Sequence, residues 1–440
     1  MVVAMEQFFQ RLFSFIEFGE SFIWSYMGIP AILLLGIYFT VRFKFPQMQS
    51  MLSAYSFFKD LFQTKGSDAE GIHPLKTFFS ALGGIIGIGN IVVVCISVEI
   101  GGPGAIFWVW MTGLMGMILK YAEIYLGLRY RERNSDGSYS GGPLYFLKQV
   151  KGGKVLSYLF AFFMCIYGIE VLMFNVIVES FEADLLIPRP AGIALLLGAI
   201  FFAVKGGGKR VANIATVVVP VFIVVYVALG GYIIFSHSDL IWPTIKLIFS
   251  SAFTGHAAVG GFLGSTLLVT IGQGIQRGCY TGDICVGYSS MIYSEARVKD
   301  PKEVARLGIW AIFMDTFVVC TISVFIVLLS GVWNDGTTAS FMVKKALSQH
   351  FPSVNVFMAA LLFLTGYSTI IAFFFVGMKS AAWLSPRYGQ KIYLVYGVLA
   401  QIFFSFVDTT QAASLMGFSG ACLMLINVYA ITTLRKEIKF

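Results

Sequence analysis

Long apolar runs separated by short polar segments dominate the chain. A hydrocarbon core about 30 Å thick needs roughly 20 apolar residues per helix, so the runs predict about eleven membrane spans. A period-2 strand pattern is absent from these runs. The pattern therefore predicts an all-α integral membrane protein. The predicted spans are 22–43, 75–98, 104–128, 155–181, 190–204, 211–236, 256–290 (interrupted), 305–332, 353–383, 388–406 and 411–434.

Composition excludes a water-soluble protein of this size. Of 440 residues, 57% are hydrophobic and only 12% are charged, whereas soluble proteins carry about 25% charged residues. The longest polar stretches, 59–76 and 129–153, are too short for a core of their own. The six cysteines show no CxxC spacing, so neither a disulfide framework nor structural zinc is expected.

The net charge of +8 predicts the orientation of the chain in the membrane and does not indicate nucleic-acid binding. Basic residues are scattered between the apolar runs, and no basic polar domain exists. Assigning loops alternately to two sides places 26 of the 31 basic residues on one side, with Lys120 and Arg277 among them. The positive-inside rule then predicts a cell-membrane protein with its N-terminus outside and its C-terminus in the cytoplasm.

The second span contains a glycine-rich segment, GGIIGIGN, at 83–90. Each glycine costs a helix interior about 1 kcal/mol relative to alanine. Close helix packing through small residues is one interpretation. Because the segment ends in the polar Asn90, we favour an unwound ion or substrate site.

A similar segment, TIGQGIQRG at 270–278, lies in the seventh span. Interrupted helices at matching places in two inverted halves are typical of secondary transporters. We therefore predict one repeat at 75–236 and a second at 237–440, with 1–74 outside both. Free N–H groups at helix breaks suit an anionic group and free carbonyls suit a cation, so a small zwitterion moving with a cation is expected. No nucleotide motif is visible, which favours an ion gradient as the energy source.

Several blocks resemble the alanine or glycine:cation symporters, which are similar in architecture to LeuT-type transporters. The blocks are GIGN at 87–90, GGPGAIFWVWMTGLMGMILKYAE at 101–123, YRERNSDGSYSGGPLYF at 130–146, FSSAFTGHAAVGGFLGST at 249–266, MDTFVVCTISVFIVLLSGVW at 314–333 and YSTII at 367–371. The resemblance implies a ten-helix inverted repeat of five plus five, preceded by one extra helix. It also implies sodium-coupled import of alanine or glycine by alternating access, with no enzymatic activity.

The resemblance also implies site residues. Backbone groups of Gly87, Ile88, Gly89 and Asn90 would receive the substrate carboxylate, and Phe174, Gln273, Tyr280, Thr369 and Phe373 would line the pocket. Sodium, the only metal expected, would lie among Gly83, Ile86, Thr365, Ser368 and Thr369. The last three are spaced i, i+3 and i+4, which places their hydroxyls on one helix face, and hard oxygen ligands suit an alkali cation. No other cofactor is expected.

The chain departs from its relatives within this pocket. Many of them have threonines at Ile85 and Ile88, glutamine at Phe174 and tryptophan at Phe373, and SNEAGLGSAP where this chain has TGDICVGYSS at 281–290. These changes remove polar contacts for a buried zwitterion. A different small amino acid or related solute, or a different driving ion, is therefore an alternative.

Acids inside spans are expensive in lipid. Glu170, in the fourth span, is interpreted as a substrate-ammonium partner or proton-coupling group, or alternatively as an acid facing a crevice or paired with a base. Glu123 is expected to pair with Lys120, one turn away, and Asp315 to have a structural or gating role. His73, His237, His256 and His350 form no ligand cluster.

Two rival functions follow from these acids. Proton coupling through Glu170 would replace sodium coupling. An intramembrane aspartyl protease would use Asp283 and Asp315 as a carboxyl pair. The sequence disfavours the protease because Thr281-Gly282-Asp283 lacks the first glycine of a GxGD motif and because Asp283 is expected toward the cytoplasmic end.

Overall fold

The protein is described by a computed structural model that covers residues 2–63, 71–134, 137–254, 267–298, 300–407 and 409–440. The predicted start of the seventh span, with His256, lies outside these residues. The α-helices are α1 (Val2–Phe22), α2 (Ile29–Arg42), α3 (Pro46–Leu52), α4 (Ala54–Gln63), α5 (Pro74–Ile85), α6 (Val93–Gly101), α7 (Ala105–Arg129), α8 (Pro143–Phe146), α9 (Gly153–Tyr167), α10 (Val171–Leu185), α11 (Arg189–Val204), α12 (Gly207–Ser236), α13 (Ser238–Thr254), α14 (Leu267–Thr281), α15 (Tyr288–Tyr293), α16 (Pro301–Ile312), α17 (Thr321–Leu329), α18 (Ala339–Ser348), α19 (Val354–Leu384), α20 (Gly389–Phe404) and α21 (Thr409–Thr433).

Shorter elements complete the chain. Two π-helical segments, Ile23–Gly28 and Phe313–Cys320, join α1 to α2 and α16 to α17. The 3₁₀ segments are Ile88–Asn90, Leu147–Gln149 and Val332–Asn334. Strands β1 (Glu132–Arg133) and β2 (Tyr139–Ser140) pair antiparallel in a short hairpin.

Each predicted span corresponds to a helix or a helix pair. Seven helices of the described chain are long and apolar enough to cross a membrane, and the bent pair α5–α6 makes an eighth. The other three predicted spans correspond to the shorter α11, the α14–α15 pair and α20. The prediction of an all-α membrane protein is confirmed.

Lipid-facing positions lie mainly on the outer helices. On α12, large apolar side chains such as Val217, Val224 and Phe235 are exposed. Apolar exposure on this scale in a helical bundle marks a surface that lipid covers. The polar side chains that carry chemistry lie in the interior, around α5, α7, α14 and α19.

The first predicted helix break is confirmed. Helix α5 ends at Ile85, Ile86 is extended, and a 3₁₀ turn covers Ile88–Asn90 before α6 begins. The two halves of the span are bent by 56°. The break thus lies within the 83–90 segment that the sequence indicated.

The second predicted break is misplaced. Residues 270–278 lie inside the continuous helix α14, and the chain leaves helical geometry only at 282–287, before α15. A Cβ at Gly274 would lie 2.4 Å from the Ala105 carbonyl oxygen and 2.5 Å from Trp108 Cβ. The glycine therefore permits close packing of α14 on α7, which is the ordinary reason for small residues between membrane helices.

The fourth span is also interrupted. Between α9 and α10 the chain turns through Gly168 and Ile169, and Glu170 takes a left-handed conformation with φ of 55°. A non-glycine residue at positive φ is uncommon and is typical of functional sites.

Alanine substitutions at two glycines of α14 test its packing. We expect Gly274→Ala to destabilise the protein by about 1–3 kcal/mol, because the added methyl overpacks the contact with α7. Thermal unfolding of the purified protein measures the change. The matched control is Gly272→Ala, where a Cβ meets no heavy atom within 4 Å and helix propensity gains about 1 kcal/mol. Equal melting temperatures for the two variants would contradict this account.

Candidate functional site

A small, narrow cavity of about 20 Å³ lies where the broken spans meet. The first break contributes its glycines, the fourth span contributes its interruption, and α14 and α19 supply the remaining walls. The lining residues are Gly84, Ile85, Gly87, Gly89, Tyr167, Glu170, Met173, Tyr280, Thr281, Asp283, Thr369 and Phe373. The lining thus combines two carboxyl side chains with hydroxyl, aromatic and aliphatic groups.

The first break leaves backbone donors without a described hydrogen bond, and one of them belongs to Gly89 in the cavity lining. The Asn90 side-chain oxygen accepts the Gly87 N–H at 2.9 Å, and the Asn90 N–H donates to the Gly87 carbonyl at 3.2 Å. Among the described hydrogen bonds, none uses the N–H groups of Ile88 and Gly89. These two donors, rather than those of Gly87 or Asn90, are available to an anionic group.

Asn90 is held in place from the other side by Asp315. Its amide nitrogen donates to Asp315 Oδ1 at 2.5 Å, and Thr316 Oγ1 donates to Asp315 Oδ2 at 2.9 Å. Asp315 lies in the π-helical segment between α16 and α17, a type of irregularity that is frequent at functional sites. Asp315 therefore supports the first break and does not line the cavity.

Four oxygen atoms converge between α5 and α19. Ser368 Oγ and Thr369 Oγ1 each lie 3.1 Å from the Gly83 carbonyl oxygen. They lie 2.8 and 3.1 Å from the Thr365 carbonyl oxygen. We call Gly83, Thr365, Ser368 and Thr369 the oxygen cluster. Its neutral, hard oxygens match the preference of alkali and alkaline-earth cations.

Thr369 connects the oxygen cluster to the cavity, which its side chain also lines. A Cβ at Gly87 would lie 2.7 Å from Thr369 Oγ1. Glycine at position 87 therefore allows the hydroxyl of α19 to approach the backbone of the first break. Ile86, the remaining predicted sodium ligand, is buried beside the cluster in extended conformation.

Two charged residues of α7 hold the second break. The Lys120 ammonium lies 3.4 Å from Asp283 Oδ2 and also donates to the Asp283 carbonyl oxygen. One turn later, Glu123 Oε1 accepts the N–H of Ser290 at 3.2 Å. A cation thus faces the carbonyl end of α14 and a carboxylate faces the amide end of α15, as the dipoles of two half-helices require. The expected Lys120–Glu123 pair is replaced by these contacts.

Other residues also differ from their expected positions. Asp283, which was not among the predicted pocket residues, lines the central cavity. Lys120 lies inside α7, fully buried. Arg277 lies inside α14 and interacts electrostatically with Glu20 of α1. Neither cation therefore belongs to a loop of the basic side, although both were counted there.

The protease arrangement is not formed. Asp283 is bonded to Lys120, while Asp315 is bonded to Asn90 and Thr316. A catalytic pair of carboxyl groups would share one proton directly.

Aromatic rings close the cavity on one side. Phe373 stacks on Tyr288 with ring centroids 4.0 Å apart and meets Tyr167 edge-on at 5.3 Å. Further along α19, Phe375 and Lys379 line a wide vestibule, which Glu295 also lines beyond α15. Phe373 thus lines the cavity, while Phe375 and Lys379 of the same helix line the vestibule. Lys379 and Glu295 both line the vestibule and form an ion pair of 2.7 Å.

The structure brings some of the predicted substrate residues together and leaves others apart. Gly87, Gly89, Tyr280, Thr369, Phe373 and Glu170 line the cavity. Ile88 packs its side chain toward Gly366, and Asn90, Phe174 and Gln273 lie outside the lining. Of the departures from relatives, Ile85 and Phe373 line the cavity, as do Thr281 and Asp283 of the 281–290 segment.

Sequence reasoning missed Tyr167, Met173, Thr281 and Asp283 as cavity residues. Tyr167 and Met173 flank Glu170 in the chain, so the interruption of the fourth span was the signal that would have identified them. Thr281 and Asp283 lie at the observed second break. The sequence signal for a helix break there is limited to the two glycines of TGDICVG.

Interrupted spans that meet at a central cavity inside an apolar helical bundle are typical of secondary transporters. The fold is similar to that of MhsT in complex with L-phenylalanine, with a TM-score of 0.60 at 15% identity, covering 84% of this chain and 90% of that chain. MhsT has the LeuT fold.

The family follows from the sequence comparisons. The model of the sodium:alanine symporter family matches residues 9–439. The sodium/alanine symporter AgcS of Methanococcus maripaludis is 30% identical, covering 88% of this chain and 86% of that protein. GlnT of Bacillus subtilis, described as a probable sodium/glutamine symporter, is 28% identical, covering 99% and 90%. The chain belongs to the sodium:alanine symporter family and is a secondary symporter, not an enzyme.

Removing the Lys120 ammonium tests the second break. We expect Lys120→Met to cost about 3–5 kcal/mol, because it leaves Asp283 buried without its cation. Adding Asp283→Asn should recover most of this loss. Thermal unfolding of both variants measures the effect.

Lys148→Met provides the control for this experiment. It removes an exposed pair with Glu132, which should be worth less than about 1 kcal/mol. If Lys120→Met destabilised the protein no more than Lys148→Met, the buried pair would not stabilise the break.

Proposed function

We propose that the protein imports a small neutral amino acid, glycine or either stereoisomer of alanine, together with sodium. The observation that supports this proposal is the position of Thr369. It belongs to the oxygen cluster and also lines the cavity beside the first break. A cation and a carboxylate bound at these two places lie side by side. Binding of either then favours binding of the other, which is the thermodynamic requirement for symport.

The carboxylate is assigned to the N–H groups of Ile88 and Gly89, at the start of a helical segment. Backbone amides at such a terminus attract anions. The ammonium group is assigned to Glu170, whose carboxyl group lines the same cavity. The side chain then faces Ile85, Met173 and Phe373, whose apolar surfaces favour a small aliphatic substituent. Phe174 and Gln273, which lie outside the lining, would act on this pocket only through their neighbours.

Sodium is assigned to the oxygen cluster with the Ile86 carbonyl. The cluster carries no formal charge, which suits a monovalent ion better than a divalent one. Among the described residues, no group of three His, Cys, Asp or Glu side chains could hold a metal ion. A transition metal as transported substrate is therefore disfavoured.

Alternating access is assigned to the first and second breaks. The repeats 75–236 and 237–440 would each contribute one of these two breaks, with residues 1–74 forming the extra segment. We assign the basic loops, the vestibule and the C-terminus to one side of the membrane. By the positive-inside rule this face is cytoplasmic and the N-terminus is outside, so the Tyr288–Phe373 stack closes the inner exit.

Loss of a hydroxyl from the oxygen cluster should weaken sodium binding. We expect Ser368→Ala to raise the sodium concentration for half-maximal uptake about tenfold, since a hydrogen-bond-strength contact to an ion is worth about 1.5–3 kcal/mol. Uptake of radiolabelled L-alanine into proteoliposomes, with choline replacing sodium, measures this.

The matched control is Ser380→Ala on the same helix, whose hydroxyl is buried and donates to the Val376 carbonyl at 3.1 Å. It should leave the sodium dependence unchanged. Wild-type uptake that continued undiminished in choline would contradict sodium coupling.

Substrate identity can be read from ligand stabilisation. A ligand that binds only the folded protein at 100 times its dissociation constant stabilises it by about 2.7 kcal/mol. We expect a thermal-shift screen to show stabilisation by alanine or glycine in sodium and much less in choline. Stabilisation by larger amino acids alone would assign the cavity to another substrate.

A further inference from the structure

Among the described residues, Glu170 differs from the other buried acids in having no hydrogen-bond or ion-pair partner for its carboxyl group. Its carboxyl group is 2% exposed, lines the cavity, and leaves Oε2 without a hydrogen-bond partner among the described residues. Its left-handed backbone at the break of the fourth span holds it there. An acid at such depth requires a functional explanation.

The groups that face Glu170 supply no positive charge. Its electrostatic neighbours are one carboxyl group, Asp283, and phenols from four different helices, Tyr167, Tyr280, Tyr288 and Tyr393. Phenols are uncharged near neutral pH, and Asp283 is paired with Lys120. In the part of the chain that the structure describes, no Lys, Arg or His lines the cavity.

The other buried acids do not respond to the contents of the cavity in this way. Asp315 accepts two side-chain hydrogen bonds and Glu123 accepts the Ser290 N–H, and neither lines the cavity. Asp283 lines it but is held by Lys120. Glu170 is therefore the carboxyl group whose surroundings change between the loaded and the empty transporter.

Counting charges shows what this change requires. One sodium ion, one zwitterion and one Glu170 carboxylate sum to zero. When cargo leaves, the same carboxylate would remain buried without a counter-charge, which is strongly unfavourable in a low-dielectric surrounding. A proton removes that cost because it restores a neutral cavity.

We propose that Glu170 carries one proton out of the cell as the empty transporter returns. The proton binds from the cytoplasmic side after cargo release, and leaves outside when sodium and the amino acid bind. Each cycle then moves one sodium ion and one zwitterion inward and one proton outward, without net charge. This proposal rests on the sodium-coupled import proposed above.

Proteoliposomes with imposed gradients test it. At a fixed sodium gradient, each pH unit by which the interior is more acidic should raise the steady-state accumulation of radiolabelled L-alanine about tenfold, the equivalent of one proton per substrate. A trapped pH dye should report internal alkalinisation when alanine and sodium are added outside. Accumulation should not change with membrane potential.

The test variant is Glu170→Gln, which is permanently neutral and keeps an oxygen for the ammonium group. We expect its accumulation to be independent of internal pH and to change about tenfold per 60 mV, because its loaded form carries one positive charge. Size-exclusion elution and thermal unfolding like those of the wild type verify that the variant is folded, independently of its substrate affinity. Glu182→Gln, an acid at the far end of α10 that pairs with Arg189 at 2.9 Å, is the matched control and should behave as wild type.

The outcomes separate the two proposals. Robust sodium-driven uptake without internal alkalinisation in the wild type would overturn the proton proposal and leave sodium symport intact. Full proton efflux in Glu170→Gln would equally overturn the assignment to Glu170. Absence of sodium-driven uptake in the wild type would overturn both.

Discussion

A broken helix in lipid is the constraint on which this structure depends. Every interruption leaves backbone donors and acceptors that water cannot reach, and each must find another partner. The first break is supported from α16–α17 through Asp315 and Asn90. The second is supported from α7 through Lys120 and Glu123. In both cases a polar side chain on an unbroken or gently distorted neighbour replaces the missing helical hydrogen bonds.

Once the breaks are supported, they leave a few groups uncommitted. Gly89, Glu170 and Thr369 line one small cavity, and Thr369 also belongs to the oxygen cluster. In the proposed mechanism, cargo supplies the remaining partners: a carboxylate for the amides, sodium for the oxygens and an ammonium group for the carboxylate. The hydrogen-bonding requirement that makes the breaks costly would then also provide the binding site.

The sequence predicted the parts of this arrangement that are local. Apolar runs identified the spans because a helix in lipid needs an uninterrupted apolar length. The i, i+3, i+4 hydroxyls of Thr365, Ser368 and Thr369 were placed on one face because helical periodicity fixes that relation. The first break was found because its glycines and Asn90 are adjacent in the chain. Glu170 was singled out by the cost of an acid inside a span.

What the sequence could not predict depends on partners far along the chain. The second break lies at 282–287 because Lys120 and Glu123 supply its charges from another helix, and no local pattern shows that. The GQG segment was mistaken for a break because glycine serves close packing and unwinding equally well. The orientations of Ile88, Phe174 and Gln273 could not be read from matching positions, since direction around a helix changes at each interruption.

The polar groups that support the breaks are distinct from the aliphatic and aromatic walls of the cavity, such as Ile85 and Phe373, whose side chains form no hydrogen bonds. Substitutions in those walls can alter substrate preference during evolution with little penalty to folding, so members of one family can diverge in what they carry while keeping a common architecture.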